Sequence, residues 1–246
     1  MTFSEFIGRY FSVRKCPVCG TLLPYERRNE AFCDECRRKW DVAKTHECRR
    51  CGRIMPECIC MTRTLANAGA LCHHKAVAYS SSLAVAHNTL MFIKRNKNPR
   101  VTSFLASQLC SVLEADKELP ELTPENTVVS FVPRGRRAVL QYGVDQSELI
   151  ARALAEKLGL ECIRCLRRVK DGKEQKKLSA SARAKNVKKL YAPVEGLAEA
   201  VSGKRIILVD DVITTGASMA ACISYLRRAR ARDIICLSVA STEENK

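Results

Sequence analysis

The stretch RIILVDDVITTGAS, starting at Arg205, carries an apolar run into two adjacent carboxylates, Asp210 and Asp211. It then enters a polar turn of Ile213, Thr214, Thr215, Gly216, Ala217 and Ser218. The run RIILVDD reads as a strand buried on both faces that ends on the aspartates. The residues after it, GASMAACISYLRRAR, have helical spacing, so a helix starts near Gly216. The N-terminus of a helix offers free N–H groups and the positive end of its dipole, and the hydroxyls of Thr214, Thr215 and Ser218 add donors. Together these suit a phosphate. Carboxylates repel phosphate but accept hydrogen bonds from neighbouring hydroxyls, as on a sugar. The two halves therefore suit the two ends of one ligand, a ribose 5-phosphate. The plainer alternative is an Asp-Asp turn that caps the helix. A Walker-type loop is excluded, because no Gly-Lys-Ser/Thr follows.

A second set of chemistry-bearing residues lies near the N-terminus. Eight of the 14 cysteines fall between Cys16 and Cys60. Cys16 and Cys19 form one Cys-x-x-Cys knuckle, and Cys33 and Cys36 a second. Cys48 and Cys51 form a third, followed by Cys58 and Cys60 as Cys-x-Cys. Two intervening residues let both sulfurs of a knuckle face one ion, and Gly20 and Gly52 free the backbone to turn there. Two structural Zn2+ sites, each of four thiolates, are expected. Sequential ligation is the simplest assignment. Interleaved pairing of the first knuckle with the third is the alternative, and His46 is a possible substitute ligand in the second set. With few large apolar residues nearby, metal is expected to supply most of this segment's folding energy. Cys72, Cys110, Cys162, Cys165, Cys222 and Cys236 read as packing thiols, and LCHHK at Leu71–Lys75 is a weak metal candidate.

The composition limits the function classes. With 246 residues there is room for one sizeable α/β domain and a small module. Hydrophobic residues make up 46%, ordinary for a globular chain. No apolar run is long enough to span a bilayer, and no secretory leader is read, so a cytoplasmic location is expected. That location disfavours disulfides and favours metal for the cysteines. The formal charge of +16 favours a polyanionic or phosphorylated partner.

From about Ala76 strands alternate with helices. AVAYSSS, NTVVSFVP, ECIRCL, RIILVDD and DIICLSVAST read as strands. LAVAHNTLMFIKRN, VTSFLASQLCSVLEADKEL, SELIARALAEKLGL and GASMAACISYLRRAR read as helices. The alternation implies a mostly parallel sheet with helices on both faces, whose ligands sit beyond the carboxyl ends of the strands. Between Arg164 and Lys189 eleven basic residues face two acidic ones. Arg167, Arg168, Lys170, Lys173, Lys176, Lys177 and Arg183 are candidate contacts to the phosphates of single-stranded DNA, or a closing loop over the ligand. A solvated charge run is the plainer alternative. Only Tyr191 is near for stacking, so little sequence preference is expected.

IILVDDVITTGAS resembles the phosphoribosyl-diphosphate motif of type I phosphoribosyltransferases. VPRGRRAVLQYGVDQSELIARALAEKLG and EQKKLSASARAKNVKKLY, behind a cysteine module, make the whole chain similar to the ComF family of competence proteins. The resemblance implies a double zinc ribbon over residues 1–65 and a type I phosphoribosyltransferase-like α/β domain over residues 66–246. It implies that Asp210 and Asp211 hold the ribose hydroxyls and serve any catalysis, and that Ile213–Ser218 hold the 5-phosphate. Pro133, Arg134 and Gly135 would lie at the diphosphate, with Mg2+ bridging diphosphate and ribose oxygens. The implied role is DNA uptake in natural transformation, with phosphoribosyl diphosphate, single-stranded DNA and a helicase-like competence protein as partners. Relatives usually carry Arg-Gly-Phe-Asn-Gln where this chain has YGVDQ at Tyr142–Gln146. The departure removes one phosphate donor, for which Arg134, Arg136 and Arg137 are the available substitutes. Two alternatives stand beside this reading: a salvage phosphoribosyltransferase with a purely structural zinc module, and a zinc-ribbon adaptor with a vestigial pocket.

Overall fold

Short apolar runs separated by amphipathic helices can bury both faces of a strand only by closing into a parallel sheet with helices on each side. In the computed structural model, which describes residues 14–79, 84–169 and 187–242, the chain does this. After strands β1 (Arg14–Lys15) and β2 (Leu22–Leu23) come helices α1 (Asp34–Lys44) and α2 (Arg63–Ala68). Then follow β3 (Cys72–Ala78), α3 (Ala84–Ile93), α4 (Pro99–Ala115), β4 (Thr127–Phe131), α5 (Arg136–Tyr142), α6 (Gln146–Leu158) and β5 (Glu161–Cys162). The chain ends through β6 (Leu166–Arg168), β7 (Tyr191–Pro193), α7 (Leu197–Val201), β8 (Arg205–Ile213), α8 (Ala217–Arg228) and β9 (Ile234–Ser241). Five strands form one sheet in the order β3-β9-β8-β4-β5, and every pair is parallel. β8 and β9 are central and almost wholly buried, as their apolar runs require.

The helix ends follow local chemistry. The side chains of Asn98 and Asp145 cap α4 and α6, accepting from Val101 N and Glu148 N. Gly159 closes α6, as its position in the sequence suggests.

Two local expectations are corrected. RIILVDD does not end on its carboxylates, since β8 continues to Ile213, hydrogen-bonded along β9 through Ile213↔Ser241. ECIRCL is not one strand: Glu161–Cys162 extends the sheet edge, while Leu166–Arg168 pairs antiparallel with Tyr191–Pro193 in a separate two-stranded sheet. α5, β7 and α7 are too short for a periodic signal to show in sequence.

The cysteine-rich segment adds more apolar packing than its composition suggests. Trp40 and Phe32 are fully buried and stack at 5.9 Å, and Phe104 of α4 meets Trp40 edge-on at 5.3 Å. Trp40 Nε1 donates to Gln108 Oε1 of α4 (3.3 Å). Cys16, Leu23, Phe32 and Trp40 thereby join the same buried cluster as β3, α4 and α6.

Candidate functional site

β4 pairs with β8 only as far as Phe131↔Val209, with Val132 N closing a last bond to Val209 O (2.9 Å). Asp210 and Asp211 are the next two residues of β8, so they lie where β4 turns away and the sheet opens. Such a parting of strands at their carboxyl ends is the usual binding crevice of a parallel sheet. Both carboxylates are held firmly. Asp210 Oδ1 accepts from Ser147 Oγ (3.0 Å) and from Asp211 N (2.9 Å). Asp211 Oδ1 accepts from Val212 N (2.7 Å), and its Oδ2 accepts from Gln146 Nε2 (2.9 Å). Lys94 Nζ stands 3.4 Å from Asp211 Oδ2. Burial, and then the neighbouring Asp211 carboxylate, push the Asp210 carboxyl well above the usual carboxylate range.

The floor of the crevice is the start of α6. Gln146 and Ser147 follow the capping residue Asp145, which also accepts from Arg134 N (2.9 Å) and so ties the turn at Pro133, Arg134 and Gly135 to the same helix. Arg134 Nη1 donates to Lys94 O (2.7 Å), and its guanidinium lies over the Tyr142 ring. Arg95 faces that ring as well. The departure at Tyr142 thus gathers two arginines rather than leaving the turn without cations. Lys94, Gln146 and Ser147 were not marked as site residues by sequence reasoning. Gln146 and Ser147 sit one and two residues into a helix whose cap adjoins the turn at Pro133, Arg134 and Gly135, and that was the available signal. Lys94 gave none, since only the sheet brings α3 against β8. Among the described residues the buried Gln146 Oε1 has no hydrogen-bond partner, an acceptor that a ligand hydroxyl could use.

The polar turn lies directly beyond. Thr214 and Thr215 are exposed, Ala217 and Ser218 are half-buried, and Gly216 precedes α8 with φ +74°. That left-handed conformation favours glycine. The turn is tied to β9 by Thr242 N to Ile213 O (2.9 Å) and Thr242 Oγ1 to Thr214 O (3.3 Å). The helix N-terminus expected from sequence is in place, one residue after Gly216.

The cysteines form two clusters. The sulfurs of Cys16, Cys19, Cys33 and Cys36 lie within 4.8 Å of one another, and so do those of Cys48, Cys51, Cys58 and Cys60. The grouping is sequential, not interleaved, and His46 belongs to neither set. Gly20 and Gly52 have φ of +76° and +72°, the inward turn that the knuckles need. The Thr21 hydroxyl against Cys19 Sγ (3.2 Å) draws that thiol down to about 6. Four convergent sulfurs are the donor set of a structural zinc ion. Among the described residues no other group of three or more metal-ligating side chains gathers, and LCHHK contributes to neither cluster. Burial instead pushes Cys72 up to about 12 and holds His73 well below its usual range.

Of the candidate DNA contacts, Arg167 and Arg168 are described, whereas Lys170, Lys173, Lys176, Lys177 and Arg183 lie outside the described residues. Arg167 and Arg168 line a cavity of about 520 Å³ with Lys97, Arg134, Arg136, Arg152 and Arg164. Two carboxylates, Asp145 and Glu148, share it. Glu148 is held between Arg152 and Arg164, so the lining remains strongly basic. Among the described residues no helix is long and apolar enough to cross a membrane.

Residues 138–246 match the family model for the phosphoribosyl transferase domain, a span that includes α6, β8 and the polar turn. Over 217 residues the chain is 26% identical to the DNA utilization protein YhgH of Salmonella typhimurium, covering 87% of this chain and 84% of that one. The Escherichia coli K12 protein of the same name is 27% identical over 225 residues, covering 90% and 88%. Among solved structures, adenine phosphoribosyltransferase from Leishmania tarentolae aligns over 62% of this chain and 74% of that one. Its identity is 12% and its TM-score 0.36, too low to superpose the two sites.

Proposed function

We propose that this chain acts as a ComF-type protein, a reading supported by its match to the phosphoribosyl transferase domain, its two four-cysteine clusters and its likeness to YhgH. It binds phosphoribosyl diphosphate with Mg2+ and handles single-stranded DNA during uptake, in the cytoplasm, alongside a helicase-like protein. The observation that carries the ligand assignment is the carboxylate pair at the parting of β4 and β8, with the turn 213–218 next to it. Asp210 and Asp211 would accept from the ribose hydroxyls, and the N–H groups and hydroxyls of the turn would hold the 5-phosphate. Arg134, Arg95 and Lys94, gathered around the turn and the carboxylate pair, would meet the diphosphate. The hard oxygen donors of the pair fit Mg2+, which supplies neutralisation of the diphosphate charge.

A transfer at this site would form a bond from the acceptor's electron pair to the anomeric carbon while the bond from that carbon to diphosphate breaks, diphosphate leaving with its electrons. Asp210 and Asp211 would stabilise the positive charge that develops on the sugar. The decisive experiment is calorimetry with phosphoribosyl diphosphate and Mg2+. Wild type is expected to bind, and the Asp210→Ala, Asp211→Ala double variant to lose binding while remaining folded. Absence of heat with folded wild type would remove the assignment.

The DNA role is favoured by the basic cavity around Arg136, Arg164, Arg167 and Arg168 and by the name of the relatives, DNA utilization protein. Its affinity for a single strand is expected to fall steeply between 50 mM and 200 mM salt, because phosphate contacts release counterions. A flat response in a fluorescence titration would count against it.

A further inference from the structure

The second cysteine cluster does not stop at its sulfurs. Two residues after Cys60, Thr62 is buried, and its side chain accepts from Leu65 N (3.3 Å) to cap α2. The Thr62 hydroxyl also faces Thr215 O across 3.5 Å, inside the polar turn. At Gly216 a Cβ would stand 2.8 Å from Thr62 Oγ1 and 3.0 Å from Leu65 Cγ. The turn therefore has its glycine not only for its backbone angle but because the cysteine segment lies against it. α2, which Thr62 caps, packs along α8, the helix that the turn starts.

The other end of this segment is fixed just as closely. Lys75 of β3 is only 4% exposed, and its Nζ donates to Cys60 O (2.6 Å). A buried ammonium needs a counter-charge. Four thiolates around one dication carry a net double negative charge, which supplies it. Arg50 Nη1 holds Met61 O (3.0 Å). Beside Cys60, Met61 and Thr62 lies a cavity of about 70 Å³ that Lys75 and Thr242 also line, so the segment has room to shift if its anchor is lost. Among the described residues the first cluster shows no such link, and its module packs through Trp40 on α4.

We propose that the second four-cysteine cluster is a positioning element of the phosphate turn. Metal at Cys48, Cys51, Cys58 and Cys60 sets Thr62, and Thr62 sets Thr215 and Gly216, so phosphoribosyl binding depends on the second metal and not on the first. This rests on reading residues 213–218 as the 5-phosphate turn. Thr62 is a positioning residue and does not itself touch the ligand.

The test compares variants of the full chain. Cys19 and Cys51 are the exposed members of their clusters, so Cys19→Ser and Cys51→Ser disturb packing least. Each is expected to lower zinc content from two to one, read by native mass spectrometry. Calorimetry with phosphoribosyl diphosphate and Mg2+ should show affinity about tenfold weaker for Cys51→Ser and unchanged for Cys19→Ser, a loss on the scale of one hydrogen bond. Thr62→Val, which keeps the shape and all eight thiols, should weaken binding by a similar factor, with Thr62→Ser restoring it. Amide exchange at Gly216–Met219 should quicken in Cys51→Ser and Thr62→Val without ligand present. Wild-type affinity in Thr62→Val and in a folded Cys51→Ser chain that has lost one zinc would overturn the proposal, as would equal weakening by Cys19→Ser. If wild type itself fails to bind, the phosphate reading falls and the proposal falls with it, an outcome distinct from binding that ignores the variants.

Discussion

Asp210 shows what a pair of adjacent, partly buried carboxylates costs its fold. Its carboxyl is pushed up by burial and by the charge of Asp211, although Ser147 and the Asp211 amide hydrogen-bond it. A folded-state pKa above the unfolded one means the native state binds more protons in that window, so stability falls as pH rises through it. Asp210→Asn keeps the Oδ1 acceptor and removes the charge. It is expected to raise the melting temperature at pH 7 by about 2–4 °C for each kcal/mol of relieved strain, while abolishing phosphoribosyl binding. The gain should shrink as pH falls to about 4, where the unfolded carboxyl begins to take up its own proton. Scanning calorimetry at the two pH values checks both signs, and a variant less stable than wild type at pH 7 would contradict the account. The pairing of Asp210 with Asp211, the hydroxyls of the turn and the knuckle spacing of the cysteines were all legible in sequence, because each is a local pattern of residue types. Lys94 and the roles of Gln146 and Ser147 were not, because their partner Asp residues are more than sixty positions away.

At the scale of elements, the long periodic helices and the apolar strands were readable, and their limits were less so. β8 runs past its aspartates because β9 continues to pair with it after β4 has left, and no local signal in RIILVDD announces that. The cysteine-rich segment gives the sharpest difference. Its few apolar residues suggested that metal would carry most of its stability, yet Trp40 is completely buried against Phe32 and Phe104 and hydrogen-bonded to Gln108. Trp40→Ala is expected to cost about 3–5 kcal/mol even with both cysteine clusters fully loaded. A thermal melt of the zinc-saturated variant, lowered by roughly 10 °C at about 2–4 °C per kcal/mol, measures it. A melt within a degree or two of wild type would return the segment's stability to the metal alone.

Across the whole molecule, β3 places two buried histidines in the sheet next to β9. His73 is held neutral, its pKa far down through burial and then the Lys75 charge, with its Nε2 2.8 Å from Ser238 Oγ. His74 is lowered too, by burial in spite of Asp116 nearby. For a depressed histidine the stability is present above the unfolded pKa, about 6.5, and is lost as pH falls toward the folded value. The melting temperature should therefore decline from pH 7 to pH 5, and His73→Gln, which cannot take up that proton, should flatten the decline. A wild-type profile level over that range would refute the assignment. Sequence by itself determined the alternation that forces a parallel sheet, the carboxylate pair followed by a polar helix-starting turn, and the two sets of four thiols. These follow from periodicity, residue chemistry and short spacing, which the chain carries locally. Only the tertiary structure decided that the thiols group sequentially, that Lys94, Gln146 and Ser147 share the floor with Asp210 and Asp211, and that Thr62 lies against Gly216. Those pairings join residues far apart in the chain, Thr62 and the turn at Thr215 by 153 positions, and they arise when apolar faces with no sequence memory of one another are buried against a common sheet.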